Sequence, residues 1–204
     1  MDEIEQITRR TLEHYERNAR AFLEGTRDHD VSQNVSALLD AIEGEKPFRI
    51  LDLGCGPGRD LRTFKALGHE PVGVDGSAQF VEMARSWSGC EVWQQDFVDL
   101  QLPAASFDGV FANASLFHVP SAALPAVLGR LHAALKPRGV LFSSNPRGHN
   151  EEGWSGSRYG SYYDYPTWEG YCVAAGFTPV HHYYRPAGLP REQQHWLASV
   201  WRKC

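Results

Sequence analysis

Several features that would assign a small protein to a class at once are missing from this sequence. The four cysteines, Cys55, Cys90, Cys172 and Cys204, lie far apart and form no CxxC pair, so neither zinc-ligand spacing nor a dense disulfide framework is supported. No metal site is expected. No apolar run approaches the ~20 residues of a membrane span, and the opening MDEIEQITRR is charged where a signal peptide would be apolar. A reduced cytoplasm is the compartment this predicts. Blocks of Lys or Arg are also lacking: 20 basic residues face 25 acidic ones, for a net charge of −5. No stripe therefore tracks a phosphate backbone, which argues against a long nucleic acid as partner. No GxxxxGK[ST] occurs, so a P-loop is excluded.

What is present is an ordinary globular composition, 42% hydrophobic and 22% charged, over 204 residues. That length suits one domain, as a monomer or homodimer. Ile4, Ile7, Thr11, Leu12, Tyr15, Ala19, Phe22 and Leu23 recur at helical spacing, with Gly25 placed to end the helix. Val35, Leu38, Leu39 and Ile42 predict a second helix, capped by Ser32 or Asn34. Short apolar runs then alternate with helical stripes. Strands are expected at 48–53, 71–75, 91–94, 107–112 and 140–144, and helices at 59–67, 77–87 and 124–135. Alternation of this kind implies crossover units and a parallel sheet. Two further strands, 177–184 and 196–202, are joined by only about ten residues, which suits an antiparallel pair. The expected fold is α/β: a Rossmann-like, doubly wound, mostly parallel sheet with an antiparallel C-terminal edge strand and an N-terminal helical cap. Within it, 1–46 would be the cap, 47–145 the cofactor-binding core, and 146–204 an acceptor-side lid with the last strands.

The segment Ile50-Leu51-Asp52-Leu53-Gly54-Cys55-Gly56-Pro57-Gly58-Arg59-Asp60 sits where the first core strand meets its helix. Glycines there let backbone approach a ligand, and the helix N-terminus offers unpaired N–H donors. A glycine turn alone is a weak signal, because it also serves merely to shape a tight bend. Three acids strengthen it. Asp52 can face a cation. Asp75 ends the second strand, where a carboxylate accepts bonds from ribose hydroxyls. Asp96-Phe97 follows the third, with an acid for an amino group and a ring for adenine.

With ILDLGCGPGRD, VGVDGS, QQDF and FDGVFANASLFHVP in place, residues 48–145 resemble the class I S-adenosylmethionine-dependent methyltransferases. The resemblance implies that Gly54 and Gly56 line the methionine part of the cofactor, with Asp52 nearby. Asp75, followed by Gly76 and Ser77, would hold the ribose. Asp96 and Phe97 would hold the adenine, and Ala112 and Asn113 the methionyl amino group. Arg59 would suit the cofactor carboxylate. YERNARAFLEGT, ASLFHVP and PREQQHWLASVWRK are further similar to small stand-alone methyltransferases of the tellurite-resistance type and the methyltransferase domain of ovothiol synthases. There the first helix closes over the cofactor, which implies Tyr15, and Arg20 beside it, at the methionine end.

The reaction so implied transfers a methyl group from S-adenosylmethionine to a small-molecule S, N or O nucleophile and leaves S-adenosylhomocysteine. His118, in the loop after the fourth core strand, is placed to take the acceptor's proton or to form the pocket wall. Arg147, Arg158, Tyr159 and Arg191 are the expected acceptor contacts, since a guanidinium fork matches a carboxylate. The alternative for this segment is a surface loop covering the sheet edge. His181-His182 is no metal pair, because adjacent strand residues point to opposite faces. Cys55 is expected to pack, and Asn145-Pro146 to end a strand. Two other functions share this pattern. A sensor would keep the cofactor without the reaction. A nicotinamide oxidoreductase would want GxGxxG, and Asp52 at the turn would repel its pyrophosphate.

Overall fold

The computed structural model describes residues 3–204. Helix α1 (Glu3–Thr26) and α2 (Ser32–Leu39) precede β1 (Arg49–Leu53). The core then alternates as α3 (Arg59–Ala66), β2 (Glu70–Asp75), α4 (Ala78–Ser88), β3 (Glu91–Gln94), β4 (Phe107–Asn113), α5 (Leu124–Ala134) and β5 (Leu135–Pro146). A hairpin of β6 (Glu151–Ser155) and β7 (Arg158–Tyr162) follows, then α6 (Tyr165–Ala174), β8 (Phe177–Arg185) and β9 (Trp196–Lys203). No helix among the described residues is long and apolar enough to cross a membrane.

Seven strands form one sheet in the order β3-β2-β1-β4-β5-β9-β8, and β6 with β7 form a separate pair. The first five run parallel; β9 lies antiparallel to both β5 and β8. The expected Rossmann-like order with an antiparallel C-terminal strand is thus present, with β8 outermost. Alternation along each strand divides the core into two layers. Ile50, Phe111, Phe142 and Val200 pack with Leu38 of α2 and Phe64 of α3. Leu51, Val110, Leu141 and Trp201 face the other way, toward Leu124 and Leu128 of α5 and Trp168 of α6. Between β1 and β4 the winding reverses direction, which opens a crevice at the carboxyl ends of the strands.

Three local expectations are corrected. Gly25 does not end α1, which continues through it to Thr26; one glycine costs only about 1 kcal/mol within a helix. Ser32 and Asn34 do not cap α2. Val31 holds that position without a side-chain bond, and Asn34 turns inward, its amide donating to Asn113 Oδ1 at 2.9 Å. Helix α6 was not expected. Its start signal is nevertheless in the sequence: Asp164 accepts the Thr167 N–H at 2.9 Å, with Pro166 in the first turn.

Candidate functional site

A cavity of about 680 Å³ opens at that crevice. Its floor is the turn after β1. Gly54 and Gly56 both have left-handed backbone, φ 75° and 51°. A Cβ on Gly54 would lie 2.5 Å from Ser115 Cβ and 3.0 Å from the Phe97 ring, so only glycine fits between those neighbours. The carboxylate of Asp75, at the tip of β2, accepts the N–H groups of Gly56 and Ser77, each at 2.9 Å. Burial raises its pKa to about 6 against the pull of those bonds. Asp96 accepts the Val98 N–H at 3.0 Å and lines the same cavity with Phe97; burial raises its pKa too.

Helix α1 forms the roof. Leu12 sits so closely on Gly76 that an added Cβ would come within 2.6 Å of it. Tyr15 packs edge-on against Phe22, ring centroids 5.6 Å apart, and its hydroxyl meets His118 Nε2 at 2.7 Å. His118 Nδ1 lies 2.6 Å from the carbonyl oxygen of Tyr159. A carbonyl only accepts, so Nδ1 carries the hydrogen, and Nε2 accepts from the tyrosine. Burial, with Arg158 and His14 nearby, lowers the pKa of His118 to about 4, so the ring is neutral at pH 7.

The hairpin completes the enclosure by docking on α1. The Tyr159 N–H donates to Thr11 Oγ1 at 3.1 Å, His14 meets Ser157 at 2.6 Å, and Arg10 lies 4.1 Å over the Trp154 ring. From below, Glu152 accepts from the N–H and hydroxyl of Ser121 at 2.8 and 2.6 Å.

The structure therefore brings Tyr15, Gly54, Gly56, Asp75, Gly76 and Asp96 to one cavity, together with Arg59, Phe97, Asn113, His118 and Arg158. Asp52, Ser77 and Ala112 do not line it, and Arg59 lines it with its charge already engaged. Asp52 stands behind the glycine turn, buried, with Oδ2 lacking a hydrogen-bond partner. Burial first, then the charge of Asp60, push its pKa well above the ordinary carboxylate value. Arg59 reaches the wall, but its fork is filled by Asp60 at 2.7 and 2.8 Å and by the Thr26 carbonyl at 3.1 Å. Ser77 is the N-cap of α4 and donates to Glu16 at 2.5 Å. Ala112 is buried within β4, and Ala114 and Ser115 line the cavity in its place.

On the acceptor side, Tyr159 contributes its backbone, while its ring packs on Trp154 at 5.4 Å. Arg147 and Arg191 are not among the residues that line the cavity. The β5–β9 register sets Arg147 beside His195, and it donates to the Arg191 carbonyl at 2.7 Å. Both guanidinium groups lie over Tyr184, 5.5 and 3.3 Å from its centroid, outside the cavity wall. Arg185 lines the cavity instead, donating to the Asp30 carbonyl at 3.0 Å, with Pro186 and Trp196 beside it. Among the described residues, no carboxylate forms an ion pair with Arg158 or Arg185. Sequence reasoning missed Arg185; its one signal was an Arg-Pro step closing β8. It also missed Ser115, whose buried hydroxyl oxygen has no partner and sits against Gly54.

The cradle suits a cofactor with a diol, an amino-bearing aromatic ring and a positive centre. Asp75, buried at the tip of β2, and Asp96, half-buried just after β3, flank the glycine turn, and Arg59 in the wall is paired with Asp60. In fold and cradle the chain is similar to the S-adenosylmethionine-dependent methyltransferases. Residues 50–139 match the family described as a methyltransferase domain.

More specific similarity is partial. Trans-aconitate 2-methyltransferase of Azoarcus sp. (strain BH72) is 36% identical over 116 residues, covering 56% of this chain and 45% of that relative. 24-Methylenesterol C-methyltransferase 2 of Oryza sativa subsp. japonica is 34% identical over 132 residues, covering 61% and 34%. The chain thus spans less than half the length of these curated relatives. The structure of Burkholderia thailandensis 1,6-didemethyltoxoflavin-N1-methyltransferase, with bound 1,6-didemethyltoxoflavin and S-adenosylhomocysteine, superposes with a TM-score of 0.80. It is 25% identical and covers 100% of this chain and 91% of its own.

Proposed function

We propose that this protein transfers the methyl group of S-adenosylmethionine to a heteroatom of a small molecule and releases S-adenosylhomocysteine. One observation carries this reading: the glycine turn, Asp75, Asp96 and the Tyr15–His118 pair open onto a single cavity. Asp75 would accept from the ribose hydroxyls and Asp96 from the adenine amino group, with Phe97 against the ring. Gly54, Gly56 and Asn113 would border the methionine end.

The bound cofactor supplies an activated methyl group on a sulfonium. The protein's share is to orient the acceptor, exclude water and manage one proton. Positioning alone is worth ~7–11 kcal/mol in favourable cases. Arg158 and Arg185, both in the wall and without carboxylate partners, suit an anionic group on the acceptor. Two similar proteins are named for small acceptors, trans-aconitate and 1,6-didemethyltoxoflavin, which agrees with a roofed cavity of this size.

The test has two parts. Thermal shifts with S-adenosylhomocysteine, NADH and ATP should show stabilisation by the first alone; stabilisation by NADH alone would overturn the class. Incubation with methyl-labelled cofactor and a metabolite extract should then yield a labelled small product. Binding without any such product would leave a cofactor sensor.

A further inference from the structure

The hydrogen bonds at His118 leave its ring no free nitrogen. Nδ1–H is committed to the Tyr159 carbonyl at 2.6 Å, and the lone pair of Nε2 holds the Tyr15 O–H at 2.7 Å. A buried imidazole so engaged cannot itself take a proton from an incoming acceptor. Tyr15 can. Its hydroxyl donates to His118, its oxygen keeps one lone pair beyond the hydrogen bond it shares with Arg158, and it belongs to a residue that lines the cavity.

We propose that Tyr15 Oη receives the acceptor's proton while His118 Nε2 takes the proton that Tyr15 gives up, so that the acceptor is a heteroatom nucleophile bearing a removable hydrogen. This rests on the methyl-transfer reading above and deepens it. The acceptor class becomes a hydroxyl, thiol or N–H compound. Tyr15 is then the catalytic residue, and His118, acting through it, a positioning residue.

The step balances. A bond forms between the acceptor heteroatom and the methyl carbon, and the S–CH₃ bond breaks with its electron pair left on sulfur. The acceptor's proton moves to Tyr15 Oη, and the original Tyr15 proton moves to Nε2. One positive charge leaves sulfur as one appears on imidazole, and tyrosine ends as it began. Water then removes the imidazolium proton.

The surroundings agree with this order of events. Arg158 and His14 face the His118 ring, and Arg158, Asp75 and Tyr162 face the Tyr15 hydroxyl. Burial, with the Arg158 charge beside it, keeps His118 unprotonated at rest, ready to accept. Burial also raises the pKa of Tyr15, so its proton leaves only into a partner. The Tyr159 carbonyl, held by the hairpin's contact with Thr11, fixes the tautomer.

The experiment compares wild type, Tyr15→Phe and His118→Gln, using methyl-labelled S-adenosylmethionine with a metabolite extract between pH 7 and 10. Both variants should form the wild-type product at least ~10²-fold more slowly at pH 7. They should recover toward high pH, as the acceptor ionises unaided, and should keep the thermal shift with S-adenosylhomocysteine. Product formed equally by all three would overturn the relay alone. No product from wild type would overturn the methyl-transfer reading and the relay with it. Independently, ¹⁵N NMR of histidine-labelled protein with S-adenosylhomocysteine should show His118 neutral, protonated at Nδ1, with its Nε2 resonance displaced in Tyr15→Phe. An imidazolium, or hydrogen on Nε2, would overturn the relay whatever the extract yields.

Discussion

The carboxylate of Asp75 accepts the backbone N–H of Gly56 at 2.9 Å, which ties the glycine turn after β1 to the tip of β2. The turn is thus held by the same acid expected to grip the ribose, and burial keeps that acid's pKa near 6.

Cofactor binding should accordingly depend on pH. Asp75 is raised in the folded protein, so it holds its proton below about pH 6. Ribose hydroxyls donate best to the ionised form, and binding on the acid side must expel the proton. Affinity for S-adenosylhomocysteine should be level above pH 6 and weaken below it, approaching about tenfold per unit. Calorimetric titration from pH 5 to 8 checks this, and a level profile contradicts it. Asp75→Asn should weaken binding about 10–100-fold, the loss of a hydrogen bond to a charged group.

Gly54→Ala should cost about 1–3 kcal/mol of stability, from left-handed backbone strain together with the clash against Ser115. Melting by circular dichroism should show a drop of about 2–4 °C per kcal/mol. An unchanged melting temperature would mean that Ser115 moves away freely.

Arg158→Ala and Arg185→Ala should raise KM for the acceptor while leaving affinity for S-adenosylhomocysteine within about twofold. Arg147→Ala should alter neither, because its guanidinium lies outside the cavity over Tyr184. Steady-state kinetics on the product identified from the extract would read the difference. A KM effect confined to Arg147 would reverse the assignment.

Asn34 donates to Asn113 Oδ1 at 2.9 Å and accepts from the Tyr183 hydroxyl at 2.8 Å. Asn34→Leu would strand both partners and should cost about 1–3 kcal/mol in urea unfolding. If stability is unchanged, this buried link does not hold α2 against the tip of β4.

The parallel half of the sheet was legible because each strand is a short apolar run and each crossover a helical stripe; β3 falls on its expected residues, Glu91–Gln94. Asp75 and Asp96 were legible because strand ends are where chain direction and ligand chemistry coincide. The rest depended on distance. Tyr15 and Tyr159 lie 103 and 41 positions from His118, so no local pattern announces their shared hydrogen bonds. Which way Arg147 and Arg191 face was not legible, because it follows from pairing between β5 and β9, not from their neighbours in the chain. Helix α6 escaped because its apolar residues, among them Tyr165, Trp168, Tyr171 and Cys172, form no one-sided stripe. The hairpin hid in a Gly- and Ser-rich stretch that reads equally well as loop.

If the proposed methyl transfer holds, the contact between α1 and the β6–β7 hairpin is the seam through which small molecules would exchange with water. The seam is held by a few bonds such as Thr11 to Tyr159 and His14 to Ser157, each worth ~0.5–1.5 kcal/mol net. Parting such a seam would cost far less than opening the seven-stranded sheet. Departure of the spent nucleoside would also withdraw the Tyr159 carbonyl from His118 if the hairpin swings away, resetting the imidazole only once the seam has closed again.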